Sequence, residues 1–231
     1  MSNTSPFSAD LIRAINQWQR GMEDKAKKLC KLISASSDLP DAFKRVDQPV
    51  YRQVRLYAGL SQEFILDEIQ QDGSAWTLSR DVAKTFRQSP NDREKIMFLL
   101  EKDPSDCEVI LNLAAVYADP YFMKEVKRLE AAESVEFKGI RDWKGSQREV
   151  VLRPTTISYD EIVAFGAFRC LSDVIPPIGP RDPSAPSDNE IMKDLIGVNE
   201  NEHFWTDVRN AKGVVSHVLE NVRGALASTD E

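Results

Sequence analysis

Three short segments carry residue types that could do chemistry together. In Tyr51-Arg52-Gln53, Arg52 offers a planar fork of donors that fits a phosphate or ribose oxygen, and a strand would fix its direction. Arg55, three positions on, is the alternative, and an arginine on a solvated strand face is the plain reading of either. In the stretch from Ser74 through Trp76 and Thr77 to Phe86, a strand bearing a hydroxyl and an aromatic runs into a capped helix. Such a strand can brace a pocket while its hydroxyl orients a nearby carboxylate; Trp76, Val82 and Phe86 also suit a core. In Gln147-Arg148-Glu149-Val150-Val151-Leu152, strand alternation places Gln147 and Glu149 on one face. Glu149 could then hydrogen-bond a ribose hydroxyl and stabilise positive charge on the sugar as a glycosidic bond breaks, as carboxylates do for oxocarbenium-like states. Gln147 could orient an incoming acceptor. Glu149 is expected at the edge of a cleft, contributing little to the core, and an exposed edge-strand pair would use the same two residues without chemistry.

These segments need elements to hold them. Leu11, Ile15, Trp18, Met22, Ala26, Leu29 and Ile33 recur at spacings of three and four, which predicts one long helix with Ser8 as its N-cap. Its apolar stripe fits packing on its own domain or a partner-binding face. Pro40 and Pro49 bound an irregular connection from Asp38. Val50 to Leu56 alternates and is rich in β-formers, so a strand is expected. Ser61 to Gln71 suits a helix, Ala75 to Leu78 a short strand, and Ser79 can cap a helix running to about Gln88. Lys95 to Glu101 and Cys107 to Tyr117 read as two strands of a hairpin turned at Asp103-Pro104-Ser105-Asp106. Pro120 to Ala132 is expected to be a helix, and Glu149 to Leu152 and Ile157 to Phe165 strands. Helices before and between strands, without regular alternation, predict an α+β fold. A proline-rich linker spans 176–188, followed by a helical extension over 189–231.

Composition narrows the function classes. With 42% hydrophobic and 29% charged residues in 231, the chain fits one globular domain with an appendage. A net charge of −7 argues against non-specific attraction to nucleic acid or anionic membranes. Three dispersed cysteines and two histidines support neither a disulfide framework nor a metal site, and a buried or inert thiol in a reducing compartment is the plain reading. The first ten residues lack a basic start and an apolar run, so no signal peptide is read, and no apolar run approaches the ~20 residues that span a bilayer. A cytoplasmic location, or delivery into a host cell without a signal peptide, is expected.

In combination the three segments resemble the Arg, Ser-x-Ser/Thr and Gln/Glu-x-Glu signature of the ADP-ribosyltransferase family, in its cholera-toxin-like motif order. Val50-Tyr51-Arg52 is similar to the family's first core strand. Trp76-Thr77 with Asp81-Val82-Ala83 and Phe86 is similar to its second strand and helix, and Glu149-Val150-Val151-Leu152-Arg153-Pro154 to its catalytic strand. The likeness covers residues 48 to 165. It implies a split β-sandwich core over 48–175, preceded by a helical segment over 1–47 that packs on it, with NAD bound in a cleft as a substrate. Arg52 would anchor the NAD phosphate and ribose, the backbone at Gln53 would lie near the nicotinamide amide, and Trp76 would line the same site. Thr77 would support the catalytic Glu149, and Gln147 would meet a macromolecular acceptor, expected to be protein. The chain departs from the pattern at Ala75, where many members carry the first Ser, with Ser74 one place early. Gln147 in place of a second Glu points away from arginine acceptors. Transfer of ADP-ribose with release of nicotinamide is thus the expected activity; NAD glycohydrolysis and a non-catalytic NAD- or protein-binding module are the alternatives.

Overall fold

Alternating and helical stretches of the sequence settle into an α+β structure. The computed structural model describes residues 5–21, 24–57, 69–71, 74–85, 95–143, 146–166, 205, 211–216 and 219. Two compact units form: Met1–Val50, Gln71–Val82 and Asp103–Thr155 make the first, and Tyr51–Gln70, Ala83–Lys102 and Thr156–Glu231 the second.

The first unit sets helices against a short antiparallel sheet. Ser8 caps α1 (Ala9–Gln19) by accepting from Leu11 N at 3.2 Å, as expected of a serine before an apolar-periodic run. The stripe predicted as one helix is two. It breaks after Arg20, where Gly21 takes φ +134°, a conformation side chains disfavour, and resumes in α2 (Lys25–Ser36) behind Asp24 at φ 52°. The Lys28 ammonium donates to the Gly21 carbonyl at 3.0 Å, satisfying an acceptor that the helix end leaves open.

Strands β3 (Ser74–Thr77), β5 (Val109–Asn112) and β6 (Glu149–Leu152) pair in the order β5-β6-β3, antiparallel throughout, and the chain follows β3 with α3 (Arg80–Thr85). Directly opposed residues share a face, so Ala75, Thr77, Glu149 and Val151 point one way and Ser74, Trp76, Val150 and Leu152 the other. The first face is the one the helices cover: Leu11, Ile12, Ile15 and Trp18 of α1 share a core with Leu29, Leu32, Leu111 and Val151. That core is completed by α4 (Leu113–Ala118), α5 (Pro120–Glu133) and α6 (Lys138–Trp143), through Val116, Phe122, Val126 and Ile140.

In the second unit β1, whose full span is Val50–Tyr57, neighbours β4 (Lys95–Lys102), which pairs antiparallel with β8 (Ile162–Gly166). Lys102 is buried and ion-paired with Glu161 at 2.8 Å, while its ammonium also donates to the Thr156 carbonyl at 2.8 Å. Trp205 bridges Gly166.

Three expectations need correction. Lys95–Lys102 and Val109–Asn112 are no hairpin, because β4 pairs with β8 and β5 with β6. The second run also stops being a strand at Asn112, whose side chain accepts from Ala115 N at 3.1 Å and so caps α4. The end of the helix expected over 61–71 is a strand instead, β2 (Ile69–Gln71), paired with β7 (Thr155–Ile157). The rest of that helix, the end of the one after Ser79 and the linker over 176–188 lie outside the described residues. So does most of the C-terminal extension, of which residues 211–216 are helical. Among the described residues no helix is long and apolar enough to cross a membrane.

Candidate functional site

Glu149 opens β6, and its side chain lies beneath α1. It is 7% exposed rather than standing at a cleft edge as its sequence setting suggested, so the carboxyl belongs to the interior of the first unit. Two donors from consecutive residues of α1 reach it. Trp18 Nε1 donates to Oε1 at 2.6 Å, and Gln19 Nε2 donates to Oε2 at 3.5 Å. The Tyr117 hydroxyl of α4 in turn donates to Gln19 Oε1 at 2.6 Å, which leaves the amide end of Gln19 aimed at Glu149. Burial pushes the Glu149 carboxyl above the usual glutamate range; the Trp18 and Gln19 bonds and the charge of Lys25 act the other way. The same burial, together with the negative charge of Glu149, raises the Tyr117 phenol, which stays protonated and able to donate.

Thr77 stands directly opposite Glu149 across the β3–β6 pair. Its hydroxyl proton goes to the Gln147 carbonyl at 2.6 Å, and its oxygen accepts from Ser79 N at 3.1 Å. A hydroxyl has one proton, so Thr77 fixes the backbone leading into β6 and does not donate to the carboxylate. Gln147 precedes the strand instead of belonging to it. Arg148 takes φ 45°, which breaks the period-two alternation, so the shared face inferred for Gln147 and Glu149 does not hold. Trp76 is 2% exposed on the opposite face of β3, and its Nε1 donates to Ser74 Oγ at 2.8 Å. Ser74, one place early in the motif, therefore serves the tryptophan and not the glutamate.

Arg52 and Gln53 belong to β1 in the second unit. Arg52 Nη1 is shut off from solvent and has no hydrogen-bond partner among the described residues. Desolvation holds the guanidinium down to about 10, still protonated at neutral pH. Gln53 Nε2 lies 2.6 Å from Met97 Sδ on β4.

Glu149, Thr77 and the backbone of Gln147 thus come together, with Trp76 on the reverse of the same sheet. The residues that sequence reasoning missed are Trp18, Gln19, Tyr117 and Lys25. Trp18 was visible as part of an apolar stripe, but nothing local marks its indole N–H as a donor to a carboxylate 131 positions away. Among the described residues no three His, Cys, Asp or Glu side chains are grouped to hold a metal ion. The chain matches no known family model, no curated protein and no solved structure.

Proposed function

We propose that the chain transfers ADP-ribose from NAD to a macromolecular acceptor, most simply a protein, with release of nicotinamide. What carries this reading is the pairing of Thr77 with Glu149 on adjacent strands, which sets the second and third motif segments side by side. It is supported by Arg52, whose buried Nη1 has no acceptor among the described residues and suits an anionic oxygen. In the reaction the bond between the nicotinamide nitrogen and the ribose anomeric carbon breaks, and the electron pair leaves with nicotinamide, neutralising its ring charge. A lone pair of the acceptor forms the new bond to that carbon, and the acceptor's proton passes to solvent. Glu149 would stabilise the positive sugar between the two events. This role needs the ionised carboxylate.

One observation favours a second reading. A glutamate that is 7% exposed and already holds two donors has the makings of a structural carboxyl, which fits a non-catalytic module. Incubating the protein with NAD labelled on the adenylate and a cell lysate separates the two. Label on macromolecules that is lost in Glu149→Gln supports transfer, free labelled ADP-ribose alone means hydrolysis with water as acceptor, and neither product leaves a binding module.

A further inference from the structure

Burial on a sheet face covered by apolar side chains favours the neutral form of Glu149, so its charged form depends on the groups that donate to it. Its neighbours on that face are not among them. Ala75 and Val151 have no polar side-chain atom, and the single proton of Thr77 is committed to the Gln147 carbonyl. The donors come from outside the three motif segments: Trp18 Nε1 on one oxygen and Gln19 Nε2 on the other. Resting on the transferase reading above, we propose that Trp18 and Gln19 of α1 are the positioning residues of Glu149, holding its carboxylate charged and in one orientation toward the sugar of NAD.

Several features of the geometry support the assignment. The two donors address different oxygens, so together they fix rotation of the carboxyl as well as its charge; each oxygen keeps a lone pair for a ribose hydroxyl. The Trp18 bond, at 2.6 Å to an acceptor screened from water, is short for an N–H donor and strengthens when the carboxyl is ionised. Gln19 is not free to turn its carbonyl toward Glu149, because that carbonyl receives the Tyr117 hydroxyl. Trp18 is itself fixed: it is 8% exposed within the helical core. Among the described residues, the charged and titratable groups acting on the carboxyl from the packed elements are Lys25 of α2, whose ammonium lies 6.0 Å from the Trp18 ring centroid, and Tyr117 of α4. Lys25 favours the charged carboxylate, whereas Tyr117 is neutral and acts through Gln19. The N-terminal helices are then part of the site itself, beyond the stretch from 48 to 165 that carries the motif likeness.

The test reads the ionisation of Glu149 directly, apart from turnover. In full-length protein with 13C-labelled glutamate carboxyls, the resonance absent from Glu149→Gln is followed against pH in wild type, Trp18→Phe and Gln19→Leu. Losing a hydrogen bond to a charged group should raise the Glu149 midpoint by about one pH unit in Trp18→Phe, a tenfold change in its proton affinity. Gln19→Leu should move it the same way by less, its contact being the longer one at 3.5 Å. The acid limb of nicotinamide release from NAD should move up with the midpoint in each variant. A purely structural role would lower the folded fraction and leave both midpoints in place. If Trp18→Phe does not fold, Gln19→Leu carries the test, since Gln19 is only half-buried at the end of α1. A folded variant with the wild-type Glu149 midpoint overturns the inference even when NAD is turned over. Midpoints that move as expected, in a wild-type protein that releases no nicotinamide, overturn the transferase reading and leave Trp18 and Gln19 as holders of a buried charge.

Discussion

Replacing Gly139 with alanine should destabilise the first unit, against the usual sign of that substitution. Gly139 is the second residue of α6, and in an unobstructed helix alanine is better than glycine by about 1 kcal/mol. Its φ is not in the left-handed region, so the backbone alone raises no objection. The obstruction is α1. A Cβ at position 139 would sit 2.5 Å from the Asn16 carbonyl oxygen and 3.0 Å from both Asn16 Oδ1 and Arg20 Cγ. Arg20 is exposed and can swing away, but the carbonyl is backbone, so α1 must retreat by roughly 0.5–1 Å to reach ordinary contact. Overpacking of this kind costs about 1–3 kcal/mol. The retreat also stretches the bond from Gly139 N to Asn16 Oδ1, 2.9 Å long and buried, worth about 0.5–1.5 kcal/mol. Set against the helix-propensity gain, Gly139→Ala should lose about 1–3 kcal/mol. Urea unfolding followed by tryptophan fluorescence measures it. Asn16→Ala in the same chain removes the side-chain contact but not the carbonyl, so most of the penalty should persist in the double variant. A Gly139→Ala protein as stable as wild type, or more so, refutes the close approach of α1 and α6.

Glu149→Gln should change how stability depends on pH. Burial raises the Glu149 carboxyl in the folded state, so the native protein binds that proton more tightly than the unfolded chain does. Wild-type stability from this group is therefore full below the ordinary glutamate range and is lost as pH rises through the raised value; the variant has no such loss. Its stability relative to wild type should grow as pH rises above the ordinary glutamate range, and a gap that stays constant with pH contradicts the burial. Glu130→Gln should do the opposite. Arg141 and the Phe137 amide hold the Glu130 carboxyl below its usual range, so its contribution is present at neutral pH and lost as pH falls through the lowered value. The variant should unfold less steeply in acid, which circular dichroism along an acid titration would show. Arg52→Ala should weaken NAD binding at least tenfold, about 1.4 kcal/mol, by isothermal titration. Its Nη1 gives up no hydrogen bond among the described residues in that variant, and circular dichroism checks that the fold is kept. Unchanged affinity would transfer the anchoring role to Arg55.

The elements that sequence reasoning reached are those whose signals are local. Ser8 and Ser79 each cap a helix through an oxygen and an amide three residues apart. Period-two alternation from Val50 and the apolar run after Glu149 give β1 and β6 directly. The failures have local causes too weak to outvote a pattern. Gly21 interrupts a stripe that continues on both sides of it, and Asn112 ends a β-type run with one side-chain cap. Partner choice is a different kind of miss. Turn chemistry at Asp103-Pro104 predicts that the chain turns, and it does so through a 3-10 turn, yet which strands pair is decided by burial elsewhere. Among the candidate site residues, Glu149 and Thr77 were found as neighbours, whereas the donors from α1 were not. A hydrogen bond across 131 positions leaves no periodicity to read.

Stability by itself gives no reason for a carboxylate at position 149. The face it shares with Ala75 and Val151 is otherwise apolar, and an ionised group there is disfavoured by desolvation that its hydrogen bonds only partly offset. A buried charge with its partners is often no more stable than a well-packed apolar set of the same volume. Removing Glu149 alone would nevertheless be costly, because Trp18 Nε1 and Gln19 Nε2 would lose their acceptor inside the core. The glutamate and its two donors therefore behave as one unit, which could be replaced together by apolar residues at little loss of stability. A cluster with that property suits the proposed transferase site, where the charged form of the carboxyl would have to be held in one place in an apolar setting.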